Sequence, residues 1–426
     1  MPDLEVGFAK TDITPREAPL TIYHRVGQPR KPTDVRDSLY ARATAFRSGE
    51  QVAVLISLDL IGITQRLRDR VVTRLAEHGI PPAHVALYAS HTHTAPTVVS
   101  FHGVPPTPGA YLSVLESAIV RTALDAVRSA RPAELSLGRS TADLNVNRRQ
   151  IGRISQINDL DAPTGLVDPD VDVAIYRFAD GGETGCLFGY AAHPLTIGDN
   201  QPAISADYPG RAVAHLESHG AMASAQFMQG CSGNLNVKIR GDSPEAAKVG
   251  RLLGEAALEA VGNARVSAST DIRASVQTVR IPLGRIPTME EARRQLEQEL
   301  AKPRPEPRWV RWAQAVCRAL EGGNLEPFAE TLVQAMRVGD AVFLALPGEV
   351  FTEIGLAIKH RSACEGLLVS AYANDTQIGY LPTAAAFPEG GYEVDIAPRC
   401  YGLYPLSPEC ETILVEAGLS AVNAVS

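Results

Sequence analysis

Cysteine is sparse and never closely spaced. The six residues Cys186, Cys231, Cys317, Cys364, Cys400 and Cys410 form no C-x-x-C pair, so a cysteine-ligated zinc cluster is excluded and free thiols are expected in a chain too long to need disulfide staples. Long apolar runs are missing as well. No stretch approaches the roughly 20 apolar residues of a membrane span, and Met1-Pro2-Asp3-Leu4-Glu5 lacks the basic and apolar regions of an export signal. A cytoplasmic location is the expectation. An excess of positive charge is absent: 40 Lys and Arg stand against 48 Asp and Glu, a net charge of −8, with no long run of either sign. Nucleic acid and anionic membranes are therefore excluded as expected partners, which leaves a small-molecule substrate. Internal repeats and low-complexity tracts are also lacking, and 426 residues that are 45% hydrophobic suffice for a substantial core.

What is present is an alternation of apolar runs with helical patterns, the mark of an α/β fold with sheets flanked by helices. Gln51 to Leu60 reads as a buried strand, Arg66 to His78 as an amphipathic helix stopped by Gly79 and Pro81, and His84 to Ser90 as a second strand, together a βαβ unit. A long helix is expected over Ala110 to Ala130 and a strand near Glu134 to Gly138. Val171 to Phe178 and Glu183 to Ala192 flank Asp180-Gly181-Gly182 as a hairpin. Further strands are expected at Ala225 to Met228, Asp271 to Ile281, Ala341 to Leu346 and Leu367 to Ala373, and helices at Pro244 to Val261 and Thr352 to His360. Residues 1–426 read as one catalytic domain. Thr288 to Met336, charge-rich and interrupted by the Lys302 to Pro307 segment, reads as a helical excursion serving as a lid or a contact in a homo-oligomer. Trp309 and Trp312, three residues apart, would share one helix face there.

Polar residues gather where these strands end, which is where α/β sheets place ligands. The strand ends run into Asp59, into His91-Thr92-His93, into His193, into Gly230-Cys231-Ser232-Gly233-Asn234, into Glu349 and into Tyr380. His91 and His93 would project to one side of an extended chain and approach one ion or one carbonyl. A lone His193 is as compatible with a hydrogen-bonded structural role, and Glu349 with the first turn of the following helix. Tyr380 by itself says little.

Taken in order, Ser90-His91-Thr92-His93-Thr94-Ala95-Pro96, Asn145-Val146-Asn147-Arg148, Ala192-His193-Pro194, Asp207-Tyr208-Pro209-Gly210, Gln229 to Asn234 and Pro347-Gly348-Glu349 resemble the motif series of the neutral/alkaline non-lysosomal ceramidase family, from about Gly7 to Tyr392. The resemblance implies one zinc per chain, held by His91, His193, Glu349 and Tyr380, with His93 and Arg148 in the catalytic surroundings. Such a set leaves zinc room for water and lowers its pKa toward neutrality, so a zinc-dependent hydrolase cleaving a C–N amide bond with a metal-bound hydroxide is expected. In that reading His93 shuttles a proton to the leaving amine, Tyr380 ligates the metal or hydrogen-bonds the developing oxyanion, and Arg148 binds a polar or anionic substrate group. Asp59 is the expected partner of a ligand imidazole, and Asn147, Ser232, Asn234 and Asn236 the expected substrate-binding residues. Two departures narrow the substrate. Asn236 stands where the family's ceramidases have a serine, and their carboxy-terminal β-sandwich domain has no counterpart within these residues. A small soluble linear or cyclic amide is expected, with an esterase, a lactonase or a true ceramidase as alternatives on the same site. A serine hydrolase using Ser232 is disfavoured because no helix follows that serine directly. A non-catalytic, zinc-stabilised binding protein is disfavoured because structural zinc sites are mostly cysteine-rich.

Overall fold

The computed structural model describes residues 4–16, 22–23, 29–102, 104–149, 165–181, 183–197, 202–218, 222–323, 326–402 and 404–426. Among these, two mixed sheets pack face to face with helices outside them. The larger sheet runs in the order Ser224–Gln229, Thr184–Tyr190, Asp170–Phe178, Arg131–Thr141, Leu4–Asp12, Tyr40–Ser48, Gln51–Leu58 and Val85–Ala89, and Arg265–Val266 pairs with Arg131–Thr141. The smaller sheet runs Ile272–Pro282, Phe328–Val338, Ala341–Ala345, Leu367–Ser370.

Side-chain alternation explains why the central strands are apolar throughout. In Gln51–Leu58, Val54, Ile56 and Leu58 pack with Leu67 and Val71 of helix Gln65–Ala76 and with Leu115 and Ile119 of helix Gly109–Arg128, while Ala53 and Leu55 face the second sheet beside Met336 and Phe343. Asp170–Phe178 repeats the pattern. Val171, Val173 and Ile175 meet helices Asp207–Ser218 and Ser243–Gly262, and Ala174, Tyr176 and Phe178 enter the inter-sheet core. The last helix, Cys410–Val425, covers the outer face of the smaller sheet. No helix of the described residues is long and apolar enough to cross a membrane.

The expected βαβ unit is present, with Gln51–Leu58 and Val85–Ala89 parallel. The hairpin is present too, its strands antiparallel from Asp172 opposite Gly189 to Arg177 opposite Thr184, although Gly182 of its turn lies outside the described residues. The Thr288 to Met336 segment needs correction. Its helices are Met289–Leu300 and Pro307–Glu321, but Phe328–Val338 is a central strand paired on both edges. Ala, Gln and Met made FAETLVQAMRV look helical; burial between two partner strands overrides that propensity. Gln334 shows how, spending its amide on the carbonyls of Ala83 and Val85 and on the side chain of Asn374.

Three parallel pairs aim their carboxyl ends at one region. They are Gln51–Leu58 with Val85–Ala89, Thr184–Tyr190 with Ser224–Gln229, and Ala341–Ala345 with Leu367–Ser370. Backbone bonds join these ends: Ala89 N–H donates to Tyr372 O at 3.1 Å and Ala371 N–H to Gln229 O at 2.9 Å.

Candidate metal centre

His91 leaves its strand with φ 67°, the left-handed region that a non-glycine residue occupies only when its surroundings impose it. Its N–H is held by Leu60 O at 2.9 Å, and its ring lies over that of Tyr372 with centroids 4.1 Å apart. Tyr372 is itself at φ 56°. His193 follows Thr184–Tyr190, near the opposite edge of the larger sheet, and is held by its N–H to Leu235 O at 3.0 Å. Glu349 follows Gly348, at φ 64°, where a Cβ would stand 2.4 Å from Gly379 O. Only glycine fits there, and the turn lets Glu349–Val350 pair in parallel with Tyr380–Leu381, setting Glu349 beside Tyr380.

These three elements converge on one point. His91 Nε2 and His193 Nε2 are 3.2 Å apart, and Glu349 Oε2 lies 3.3 Å from the first and 3.1 Å from the second. Each imidazole is oriented through its other nitrogen. His91 Nδ1 is 2.5 Å from Ile61 O, and His193 Nδ1 is 2.7 Å from Ser232 O. A carbonyl only accepts, so both Nδ1 atoms carry the proton and both Nε2 atoms present lone pairs. With the rings neutral, three lone-pair atoms thus face one another, which is repulsive unless a cation sits there. The donor set fits zinc: ligands about 2.0–2.1 Å from a tetrahedral ion stand about 3.3 Å from one another. His93, half-buried, brings its Nε2 to 3.3 Å from His91 Nε2, and one ring nitrogen from each of His91, His93 and His193 lies within 4.8 Å of the others.

Electrostatics reinforce the arrangement. Burial, with the charge of Arg148 next, lowers the His193 pKa to about 4, so the ring is neutral and ready to ligate. Tyr380 places its hydroxyl 3.4 Å from His193 Nε2 and 3.2 Å from Arg148 Nη2; burial and then Glu349 keep it a phenol.

Several expected residues have different work. Asp59 is no partner of an imidazole; its carboxylate accepts from Tyr40 N–H at 2.8 Å and Arg42 Nη1 at 3.2 Å, and backbone carbonyls orient the histidines instead. Asn147 is spent on Leu166 O and Arg149 N–H, and Asn234 on Thr352 N–H and the Glu353 carboxylate at the start of helix Thr352–Arg361. Ser232 is fully buried, its hydroxyl between Gln229 Nε2 at 2.6 Å and Tyr372 OH at 3.0 Å. All three side chains thus have hydrogen-bond partners within the protein, and the Ser232 hydroxyl bonds to Gln229 and Tyr372 rather than to a histidine. Arg148 is likewise committed, with Nε on Glu393 at 2.8 Å and Nη2 on Gly233 O at 2.6 Å. Arg149 shares Glu393 at 2.7 Å and meets Glu389 at 3.1 Å, so two cations face two anions and the group has no net pull on an anion. Asn236 differs. Its Oδ1 is 3.5 Å from Arg148 Nη1, and its buried Nδ2 has no partner.

Sequence reasoning missed three contributors. Tyr372 floors His91, Glu393 anchors Arg148, and Tyr401 donates to Glu349 Oε1 at 2.5 Å. Only Gly390-Gly391, both at positive φ ahead of Tyr392-Glu393, hinted at a specially shaped segment.

The fold and this centre define a ceramidase-type hydrolase architecture with a histidine cluster able to hold a metal. The chain belongs to the neutral/alkaline non-lysosomal ceramidase family, whose N-terminal profile matches residues 4–245. Two solved structures share its fold. The neutral ceramidase from Pseudomonas aeruginosa superposes with a TM-score of 0.74 at 20% identity, covering 99% of this chain and 75% of that one. A ceramidase complexed with C2 gives 0.75 at 18% identity, covering 99% and 76%. No curated protein sequence matches the chain.

Proposed function

We propose that the protein is a zinc-dependent hydrolase that cleaves the C–N bond of a small polar amide. The observation that carries this reading is the set of three facing lone-pair atoms, His91 Nε2, His193 Nε2 and Glu349 Oε2, at 3.1–3.3 Å with both Nδ1 protons committed to carbonyls. A zinc ion there supplies Lewis-acid polarisation and an acidified water. Tyr380, whose hydroxyl stands at the edge of this set, orients the substrate carbonyl as a ligand-side donor. His93, half-buried and next to His91, gives a proton to the leaving nitrogen. Arg148 positions Tyr380 rather than drawing in charge. Asn236 contributes its unpartnered Nδ2–H to a substrate acceptor, since a buried donor left unpaired costs about 1–3 kcal/mol until one arrives.

One observation favours a longer acyl group as a second reading. Tyr380 belongs to an apolar cluster with Ile61, Val99, Phe101 and Tyr401, on whose margin Val104, Trp309 and Phe387 are only partly buried. The test is metal analysis of the purified protein followed by turnover of short linear amides, lactams, lactones and detergent-dispersed ceramides. About one zinc per chain, with chelator-sensitive cleavage of the small amides, is expected. Ceramide cleavage without small-amide cleavage would replace the first reading by the second, and full activity without metal would overturn both.

A further inference from the structure

The carboxylate of Glu349 has two oxygens, and the fold treats them differently. Oε2 faces His91 and His193, while Oε1 takes the Tyr401 hydroxyl at 2.5 Å. Tyr401 is 6% exposed and its ring is fixed independently of that bond, packed on Phe101 with centroids 4.8 Å apart and at 58°. Its backbone is fixed as well. Tyr401 N–H donates to Ala397 O at 3.0 Å, and its carbonyl accepts from Gln377 Nε2 at 3.0 Å. The hydroxyl has little freedom to leave Oε1. A phenol O–H donates and a carboxylate oxygen accepts, so Tyr401 is the donor to Oε1 and the bond is of the charge-assisted kind.

We infer that Tyr401 is a positioning residue that confines Glu349 to one metal-facing oxygen, resting on the metal-centre reading above. A free carboxylate can turn both oxygens to one ion and consume the coordination position that a reactant needs. With Oε1 engaged, the carboxylate plane is locked and only Oε2 remains. Outer partners of this kind are worth about 10–100-fold in metal affinity or activity.

The experiment compares Tyr401→Phe with Phe101→Leu in the full chain. Phe101→Leu disturbs the same ring packing and leaves the hydroxyl in place. Zinc affinity is measured by competition with a chromophoric chelator, and the cobalt(II)-substituted proteins are compared by visible absorption, whose intensity falls when coordination number rises. Tyr401→Phe is expected to change zinc affinity by at least 10-fold and to weaken the cobalt bands, and Phe101→Leu to lower the melting temperature while leaving affinity and bands unchanged. Wild-type affinity and an unchanged cobalt spectrum in a folded Tyr401→Phe variant would overturn the inference, as would equal spectral changes in Phe101→Leu. Failure of the wild type to bind zinc or cobalt would instead strike the metal-centre reading itself, and the inference with it.

Discussion

Replacing Arg148 by Met tests whether this buried guanidinium serves the fold of the site or the capture of charge. The side chain is 5% exposed and makes bonds to Glu393, Gly233 O and Tyr380, with a long one to Asn236. Breaking a buried ion pair typically costs about 3–5 kcal/mol, most of it from the orphaned partner. Here Glu393 is not orphaned, because Arg149 Nη1 stays 2.7 Å from its other oxygen. The expected loss is therefore at the lower end, about 3 kcal/mol. In the double variant Arg148→Met, Glu393→Gln, the cost should fall short of the sum of the singles by about 1–3 kcal/mol, since both belong to one network. Equilibrium urea unfolding measures all four corners of the cycle. A capture role predicts something else: additive stabilities, and a KM increase confined to carboxylate-bearing amides. Additivity within about 0.5 kcal/mol, together with that selective KM effect, would refute the positioning role of Arg148.

Other outcomes follow from the same geometry. His91→Ala and His193→Ala should lose zinc, whereas His93→Ala should keep it and lose turnover by about 10²–10⁴-fold, as for a general acid; an empty site in His93→Ala, read by metal analysis, would make His93 a ligand. Ser232→Ala should unfold about 1–3 kcal/mol more easily, because Gln229 Nε2 and Tyr372 OH lose a shared partner, while retaining activity; an inactive, folded, zinc-loaded variant would revive a nucleophilic serine. Asp207, buried and accepting from Ile197 N–H and Tyr208 N–H, has its pKa raised by burial from 3.8 to about 6. A raised folded pKa means the native state holds the proton more tightly, so this group's contribution falls as pH rises from 3.8 to about 6 and is level outside that window. The stability difference between wild type and Asp207→Asn should therefore shift by on the order of 3 kcal/mol across that range, and a pH-independent difference in urea unfolding would contradict it.

Local chemistry made much of the protein legible. The 51–58 and 85–89 strands carry apolar side chains on both faces, and only a sheet covered on both sides asks for that. His91, His193, Glu349 and Tyr380 stand at strand ends, where backbone direction alone brings loops together, and the motif order linked them before any distance was known. The strands Leu4–Asp12 and Tyr40–Ser48 were harder to see, because Lys, Arg and Asp interrupt their apolar positions although both lie inside the large sheet. Phe328–Val338 was misread for a related reason, since its composition favours a helix and only its two partner strands make it extended.

Tertiary structure alone decided how each polar residue is spent. Asn147, Asn234, Ser232 and Asp59 look like site residues in the chain, yet their hydrogen-bonding capacity goes to backbone and neighbours met only after folding. Tyr401 and Glu393 look like nothing in the chain, yet a short segment ending at Gly402 delivers one to Glu349 and the other to Arg148 across 52 and 245 residues of sequence. Residue type sets what a side chain can donate or accept, and the sequence by itself determined that inventory and its order along the strands. Which donor meets which acceptor depends on distances of about 3 Å between segments far apart in the chain, and packing alone sets those distances.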